Sequence, residues 1–254
     1  MTELLPGERI DAINERLSLI QKKNGLMFGT DAYLLAAYIK ADPACRMAEL
    51  GAGTGVVSLL ALAKEKAGQV YAIEAQPEFA ELVERNAALN GLEDRLRTLC
   101  ADVRNVGEND LGGRVDAVFS NPPYMRADAG KENAVSAKNI ARREVLGGIG
   151  DFCACAARIL KYGGTFYTVY RPERLADLFA ALRMSGFEPK KLTLVHSTAE
   201  KAPSMVLVAS RLGGNPSLTV TRPLLVYRSE EGREYTPDLN RIYETCSFEH
   251  LEGF

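Results

Sequence analysis

The chain lacks any apolar run near the roughly 18 residues that a membrane-crossing helix needs, so no spanning helix and no membrane partner are expected. Its first residues do not follow the basic-then-apolar pattern of a signal peptide. Cysteine is scarce: Cys45, Cys100, Cys153, Cys155 and Cys246 are too few and too scattered for a disulfide framework. That usage fits a reducing compartment, and the cytoplasm is the expected location. Cys153 and Cys155 stand two apart on an expected helix and so face different directions, which argues for buried small residues and against a metal pair; no metal site is expected. There is no internal repeat, no low-complexity tract and no linker long enough to separate a second domain. Nor is there a large net charge. The formal value is −2, so the molecule as a whole is not a basic nucleic-acid binder. The charge is uneven, however, with −5 over residues 1–119, +5 over 120–192 and −2 over 193–254.

Present instead is an ordinary globular composition, 46% apolar and 25% charged over 254 residues, enough for one large core. From about residue 47 strands and helices alternate. Strands are expected at 47–52, 69–75, 96–101, 115–120, 165–170, 191–196 and 204–212, with helices at 56–66, 77–90, 149–161 and 172–185. No helix separates the last two strands, so they should pair antiparallel. The pattern predicts a doubly wound α/β sheet whose last strand is reversed. Residues 1–45 read as a helical extension, one or two amphipathic helices broken at Asn24-Gly25. Residues 213–254 read as a hairpin followed by a short helix near 237–245.

The turn after the first of these core strands is Glu49-Leu50-Gly51-Ala52-Gly53-Thr54-Gly55. Glycines there let backbone approach a ligand, and the helix that follows offers free N–H groups to a carboxylate. Glu74, ending the next strand, can accept hydrogen bonds from both ribose hydroxyls. Asp102, ending the third, can take an adenine amino group. Glu49, Gly51, Gly53, Gly55, Glu74 and Asp102 form the expected cofactor set. A nicotinamide dehydrogenase offers a similar turn and acid, but its glycines follow Gly-x-Gly-x-x-Gly, and nothing downstream resembles a hydride-transfer site.

Asn121-Pro122-Pro123-Tyr124 follows the apolar run 115–120. An exocyclic amine on a base is a poor nucleophile because its lone pair is delocalised into the ring. Two acceptors on its hydrogens turn that lone pair out of the plane. The Asn121 side-chain oxygen and the Pro122 carbonyl suit that task, the two prolines stiffen the loop, and Tyr124 can stack on the base. Displacement at a positively charged methyl group then depends mainly on alignment. Adenine N6, guanine N2, cytosine N4 and a glutamine amide are all planar NH2 groups, and the loop does not choose among them. Arg126, Lys131, Lys138, Arg142 and Arg143 follow it and could hold phosphates; Asp128, Glu132 and Glu144 dilute them, which equally suits a solvated loop. His196 lies on a strand and reads as structural. Glu8 and Arg9 read either as an ion pair or as an RNA contact.

A strand ending in Asn-Pro-Pro-Tyr downstream of such a glycine turn resembles the S-adenosylmethionine-dependent N-methyltransferases. Further stretches resemble the bacterial adenine N6-methyltransferase family that acts on the anticodon loop of valine tRNA: 7–11 with 20–22 and 28–32, Asn139 to Glu144 before the helix from Asp151, Tyr170 to Leu175, and Tyr235-Thr236-Pro237. The resemblance runs the length of the chain, in order. It implies a Rossmann-like class I methyltransferase fold: a seven-stranded, mostly parallel sheet with an antiparallel last strand and helices on both faces, in a single domain over 1–254 with its core at 46–212. It implies S-adenosylmethionine as methyl donor, structured RNA, above all tRNA, as partner, and the cytoplasm as setting. It also implies that Thr30 and Asp31 lie against the cofactor, while Asn121, Pro122, Pro123 and Tyr124 hold the base, Asn121 bordering the cofactor as well. Members often carry His where this chain has Arg143. Alternative readings are methylation of ribosomal RNA at guanine N2, methylation of a protein glutamine, and a non-catalytic RNA-binding module of the same fold. The glutamine enzymes usually carry a helical domain ahead of the glycine turn, for which 46 residues leave little room. Oligomeric state is not legible in the sequence.

Overall fold

A computed structural model describes residues 4–23, 29–122 and 147–249, with 251 and 253. Two strands, β1 (Glu8–Ala12) and β2 (Ser18–Lys22), form an antiparallel hairpin ahead of the main sheet. The sheet's body is β3 (Arg46–Leu50), β4 (Gln69–Glu74), β5 (Leu96–Cys100), β6 (Val115–Ser120), β7 (Leu160–Tyr170), β8 (Phe187–His196) and β9 (Pro203–Leu212). Their order across the sheet is β8-β9-β7-β6-β3-β4-β5. Only β9 runs against its neighbours β7 and β8, as the expected reversed last strand requires. Two short strands, β10 (Thr219–Val220) and β11 (Leu224–Leu225), extend the β8 edge and bring the sheet to nine strands among the described residues.

Strand residues alternate between the sheet's two faces, and the core divides accordingly. Met47, Val70, Ala72 and Phe119 face α1 (Thr30–Tyr38), α2 (Val56–Ala63), α3 (Pro77–Leu89) and the C-terminal α6 (Pro237–Thr245). Ala48, Leu50, Ile73 and Val118 face α4 (Ile149–Ile159) and α5 (Leu175–Met184). Burial of Phe119, fully enclosed, stabilises the fold by about 1.5–3 kcal/mol. Cys153 and Cys155 both lie buried in α4 and all five cysteines are free thiols. His196 closes β8, its Nδ1–H donating to the Lys201 carbonyl at 2.7 Å.

Three expectations need correction. The first concerns residues 1–45, expected as a helical extension of one or two helices: among the described residues α1 is the one helix there, and 8–22 form the β1–β2 hairpin. Asn14 makes the turn, its Oδ1 accepting from Arg16 N–H at 2.9 Å and Leu17 N–H at 3.0 Å. The free edge of β2 then meets two amides one helical turn apart on α3. Asn86 exchanges hydrogen bonds with Ile20 N–H and C=O, and Asn90 does the same with Ser18. Side chains thus do what a third strand would do. Glu8 forks onto Arg85 at 2.7 and 2.8 Å, which holds its carboxyl below the usual range. Arg9 pairs with Asp11 at 2.8 Å.

The second correction is at the C-terminal end. There β10 and β11, each parallel to β8, stand where no strands were expected, and the expected hairpin is short: 226–228 lie antiparallel to 234–236 through the Tyr227–Tyr235 bridge and the Arg228 N–H to Glu234 C=O and Thr236 N–H to Val226 C=O bonds at 3.0 Å. The third is β7, which begins at Leu160 where helix had been expected to continue to 161. Its register against β6 shifts between Val115 and Ala117, and a Cβ on Gly164 would lie 2.8 Å from the Asp116 carbonyl, so only glycine passes there.

Candidate active site

The site is assembled at the carboxyl ends of four adjacent strands. Leu50 of β3 pairs with Ile73 of β4 on one side and with Ser120 of β6 on the other, and Glu74 pairs with Cys100 of β5. The chain leaves β3 toward β4 and later returns to β3's other side as β6, so β3 and β6 flank the switch point where ligands bind in such sheets. The Ser120 hydroxyl donates to the Leu50 carbonyl at 2.7 Å and clips the two strand ends together.

The glycine turn leaves β3 with three left-handed residues, Gly51, Gly53 and Gly55, at φ of +70°, +55° and +80°. Gly55 is the most constrained, since a Cβ there would stand 3.1 Å from Val83. Gly51 and Ala52 N–H donate to the Ile73 carbonyl at 2.9 and 3.0 Å. Glu74 grips the turn from β4: one carboxylate oxygen accepts from Gly53 N–H at 2.9 Å, the other from Gln76 N–H at 2.9 Å. With a glycine as its N-cap, α2 has no side-chain cap of its own. Val56 and Val57 N–H have no hydrogen-bond partner among the described residues. They are open donors at the positive end of a helix dipole.

The third N–H of α2 is satisfied from outside the helix. Glu49, only 2% exposed, accepts from Ser58 N–H at 3.1 Å and from the Ser58 hydroxyl. Burial pushes its carboxyl up to about 8, against the lowering effect of these bonds and with a further upward push from Glu74. Glu49 is therefore mainly protonated at neutral pH. Its folded-state value lies above the ordinary 4.5, so the folded state binds the extra proton between those limits. Stability from this group is fully present below about pH 4.5 and lost as pH rises toward about 8. Glu49→Gln mimics the neutral acid and is expected to fold, and to lose less Tm than wild type between pH 5 and 8, as followed by thermal melts. Parallel Tm profiles for the two proteins would refute this.

On the acceptor side, Asn121 follows β6 and Pro122 is buried. The Asn121 Nδ2–H donates to Asp31 in the first turn of α1 at 2.9 Å. A carboxylate only accepts, so the amide must turn its nitrogen toward Asp31 and its oxygen to the opposite side. Thr30 Oγ1 receives a hydrogen bond from the Tyr243 hydroxyl at 3.4 Å. Asp102 lies two residues beyond the end of β5 at Cys100 and not on the strand as expected, and its carboxylate is forked by Arg104 at 2.5 to 3.1 Å, which lowers its pKa. Pro123, Tyr124 and the basic run from Arg126 to Arg143 lie outside the described residues.

The structure thus brings together Asp31 with Asn121, Gly53 with Glu74, and the two strand ends that carry them. Ser58 escaped the sequence reading, although a serine at the third position of a helix capped only by glycine, with a buried glutamate on the preceding strand, was a usable signal. Among the described residues no group of three or more His, Cys, Asp or Glu could hold a metal ion, and no helix is long and apolar enough to cross a membrane.

Comparison with known proteins places this geometry in context. The family model described as methyltransferase small domain matches residues 24–180. A protein named tRNA1(Val) (adenine(37)-N6)-methyltransferase from Cronobacter sakazakii is 31% identical over 71% of this chain and 73% of its own length. One of the same name from Bacteroides fragilis is 28% identical over 74% and 78%. Among solved structures, one described as a predicted O-methyltransferase from Agrobacterium tumefaciens superposes with a TM-score of 0.69 at 27% identity, covering 86% of this chain and 97% of that one. The TYW2 protein of M. jannaschii, solved with AdoMet, shares the fold at a TM-score of 0.56 and 17% identity, over 82% and 87% of the two chains.

Proposed function

Because the chain belongs to the methyltransferase small domain family and is an S-adenosylmethionine-dependent methyltransferase, we propose that its acceptor is N6 of adenine 37 in the anticodon loop of a valine tRNA. The relatives that share most of its length carry that activity in their names. The observation that carries the reading is the Asn121 amide, fixed by Asp31 at the end of the strand next to the glycine turn.

The donor set fits the cofactor. Val56 and Val57 N–H at the start of α2 suit its carboxylate. Glu74 Oε2 accepts one backbone N–H, from Gly53, and has a second lone pair for a ribose hydroxyl, while Oε1 accepts from both the backbone N–H and, at 3.5 Å, the side-chain amide of Gln76. Both oxygens of Asp102 are taken by Arg104, whose backbone N–H and guanidinium supply four hydrogen bonds, so Asp102 accepts an adenine amino group only if Arg104 gives up part of that fork. When bound, S-adenosylmethionine supplies an electrophilic methyl group on a sulfonium. The protein's task is to present the amine. The Asn121 oxygen and the Pro122 carbonyl accept its two hydrogens and turn the lone pair out of the ring plane, Asp31 keeps the amide from flipping, and Pro123 and Tyr124 complete the holder. Attack needs no prior deprotonation, since the nitrogen becomes acidic only after it gains the methyl group. The free thiols suit the cytoplasm, where tRNA is found.

The test is transfer of tritiated methyl groups from S-adenosylmethionine to total unmodified tRNA, followed by nucleoside mass spectrometry. N6-methyladenosine at position 37 of a valine tRNA is the expected product. No transfer to tRNA, with cofactor binding intact, would overturn the proposed substrate and direct the search to ribosomal RNA and protein glutamine.

A further inference from the structure

The described residues hold a second organised feature beside the site, built by the C-terminal segment. Tyr227 and Tyr235 stack with ring centroids 5.5 Å apart at 23°. Tyr235 continues to Tyr243 at 5.5 Å, and Tyr243 meets the buried Tyr33 of α1 edge-on at 4.8 Å. The row is rigidly held. The Tyr33 hydroxyl donates to the Tyr243 carbonyl at 2.7 Å, the Tyr227–Tyr235 bridge pins the outer pair, and Thr236 N–H donates to Val226 C=O at 3.0 Å. Its inner end joins the site, because the Tyr243 hydroxyl reaches Thr30, the neighbour of the residue that fixes Asn121. Its outer pair reaches the surface, with Tyr235 36% exposed and Tyr227 half-buried.

Packing explains the inner rungs, Tyr33 and Tyr243, which fasten α6 to α1. It does not explain two aromatic faces stacked at the surface. The charges around them decide what kind of ligand they suit. Arg228 is engaged by Glu234 at 3.4 Å and Lys201 by Glu230 at 2.8 Å, so this rim carries no surplus of positive charge for phosphates. What it offers is π-surface, and every unpaired base has a π-face.

We propose that Tyr227 and Tyr235 form a stacking platform for an unpaired base of the RNA loop next to the one being methylated. The inference rests on the reading of the substrate as an RNA loop. Binding through stacking, and not through phosphate, has a distinctive signature: loss of the ring weakens RNA binding by a factor that does not change with salt, because no counterions are released at this contact.

The test uses the full chain and an unmodified valine tRNA transcript. Tyr235→Ala is expected to raise KM for tRNA by about tenfold, by the same factor at about 50 and about 200 mM salt, with cofactor affinity at the wild-type value. Tyr235→Phe should keep the wild-type KM. Tyr235→Leu fills space without an aromatic face and should behave like alanine, which guards against a mere packing defect. A KM within twofold of wild type for Tyr235→Ala, or rescue by leucine as complete as by phenylalanine, overturns the platform while leaving the tRNA assignment in place. If wild type does not methylate the transcript, the substrate reading fails and the platform falls with it.

Discussion

Asn121→Ala is expected to lower methyl transfer by at least about a hundredfold while S-adenosylmethionine binds within about twofold of its wild-type affinity. The substitution removes the oxygen proposed to accept from the amine and leaves the Pro122 carbonyl as the single acceptor of that proposal. The anchors proposed for the cofactor are elsewhere, at the start of α2 and on Glu74. Single-turnover rates with saturating tRNA, beside calorimetric cofactor titration, separate the two effects. Asn121→Asp is a sharper probe. It keeps an acceptor oxygen but loses the N–H that donates to Asp31 at 2.9 Å, and it sets two carboxylates against each other. Aspartate should therefore be nearly as inactive as alanine, and Asp31→Asn placed beside it should restore part of the rate, since an amide–carboxylate pair is recreated with its members exchanged. A fully active Asn121→Asp protein, or a large loss of cofactor affinity in Asn121→Ala, would sink the assignment of roles.

The second large effect lies on the other side of the site. Glu74→Ala should weaken cofactor binding by roughly 1–3 kcal/mol, the cost of leaving buried polar groups unpaired. Two sources contribute: the lost acceptors for ribose, and the release of Gly53 and Gln76 N–H, which the carboxylate holds at 2.9 Å each. Glu74→Gln distinguishes the structural source. A glutamine has one acceptor oxygen, so its NH2 group would have to face one of two backbone donors. It should bind cofactor little better than alanine does. Glutamine binding as tightly as wild type would show that the turn does not depend on both oxygens.

The parts of the fold that were legible in the sequence are those built from local signals. The apolar run 115–120 coincides with β6, residue for residue. The helix α3 starts at Pro77 and stops at Asn90-Gly91, where proline and left-handed glycine respectively favour a start and an end. The reversed strand followed from the lack of a helix between β8 and β9. What could not be read depends on partners far along the chain. Leu19, Ile20 and Gln21 are all buried, which masks the alternation of a strand. Their edge is satisfied by Asn86 and Asn90, 66 and 72 residues away, and no window around 8–22 contains that information. The site shows the same division. Gly51, Gly53, Gly55 and Glu74 are candidates by spacing, and Asn121 by its motif, and the folded chain sets them at neighbouring strand ends. That Asp31 would orient Asn121 across 90 residues, or that Tyr243 would reach Thr30 across 213, is a property of the folded chain alone.

The strand order has a mechanical consequence. The turn proposed to cradle the cofactor leaves β3 and the amide proposed to hold the base leaves β6, and these strands are direct neighbours joined by their ladder and by the Ser120 clip. Neighbouring strands stand about 4.8 Å apart, a length that hydrogen bonding makes hard to stretch. The gauge of the reaction, the gap the methyl group must cross, is thereby referred to the stiffest dimension of the molecule and not to a loop. Changes in the surface segments proposed to meet RNA should alter how often an adenine arrives, and leave the span of the transfer as the sheet has set it.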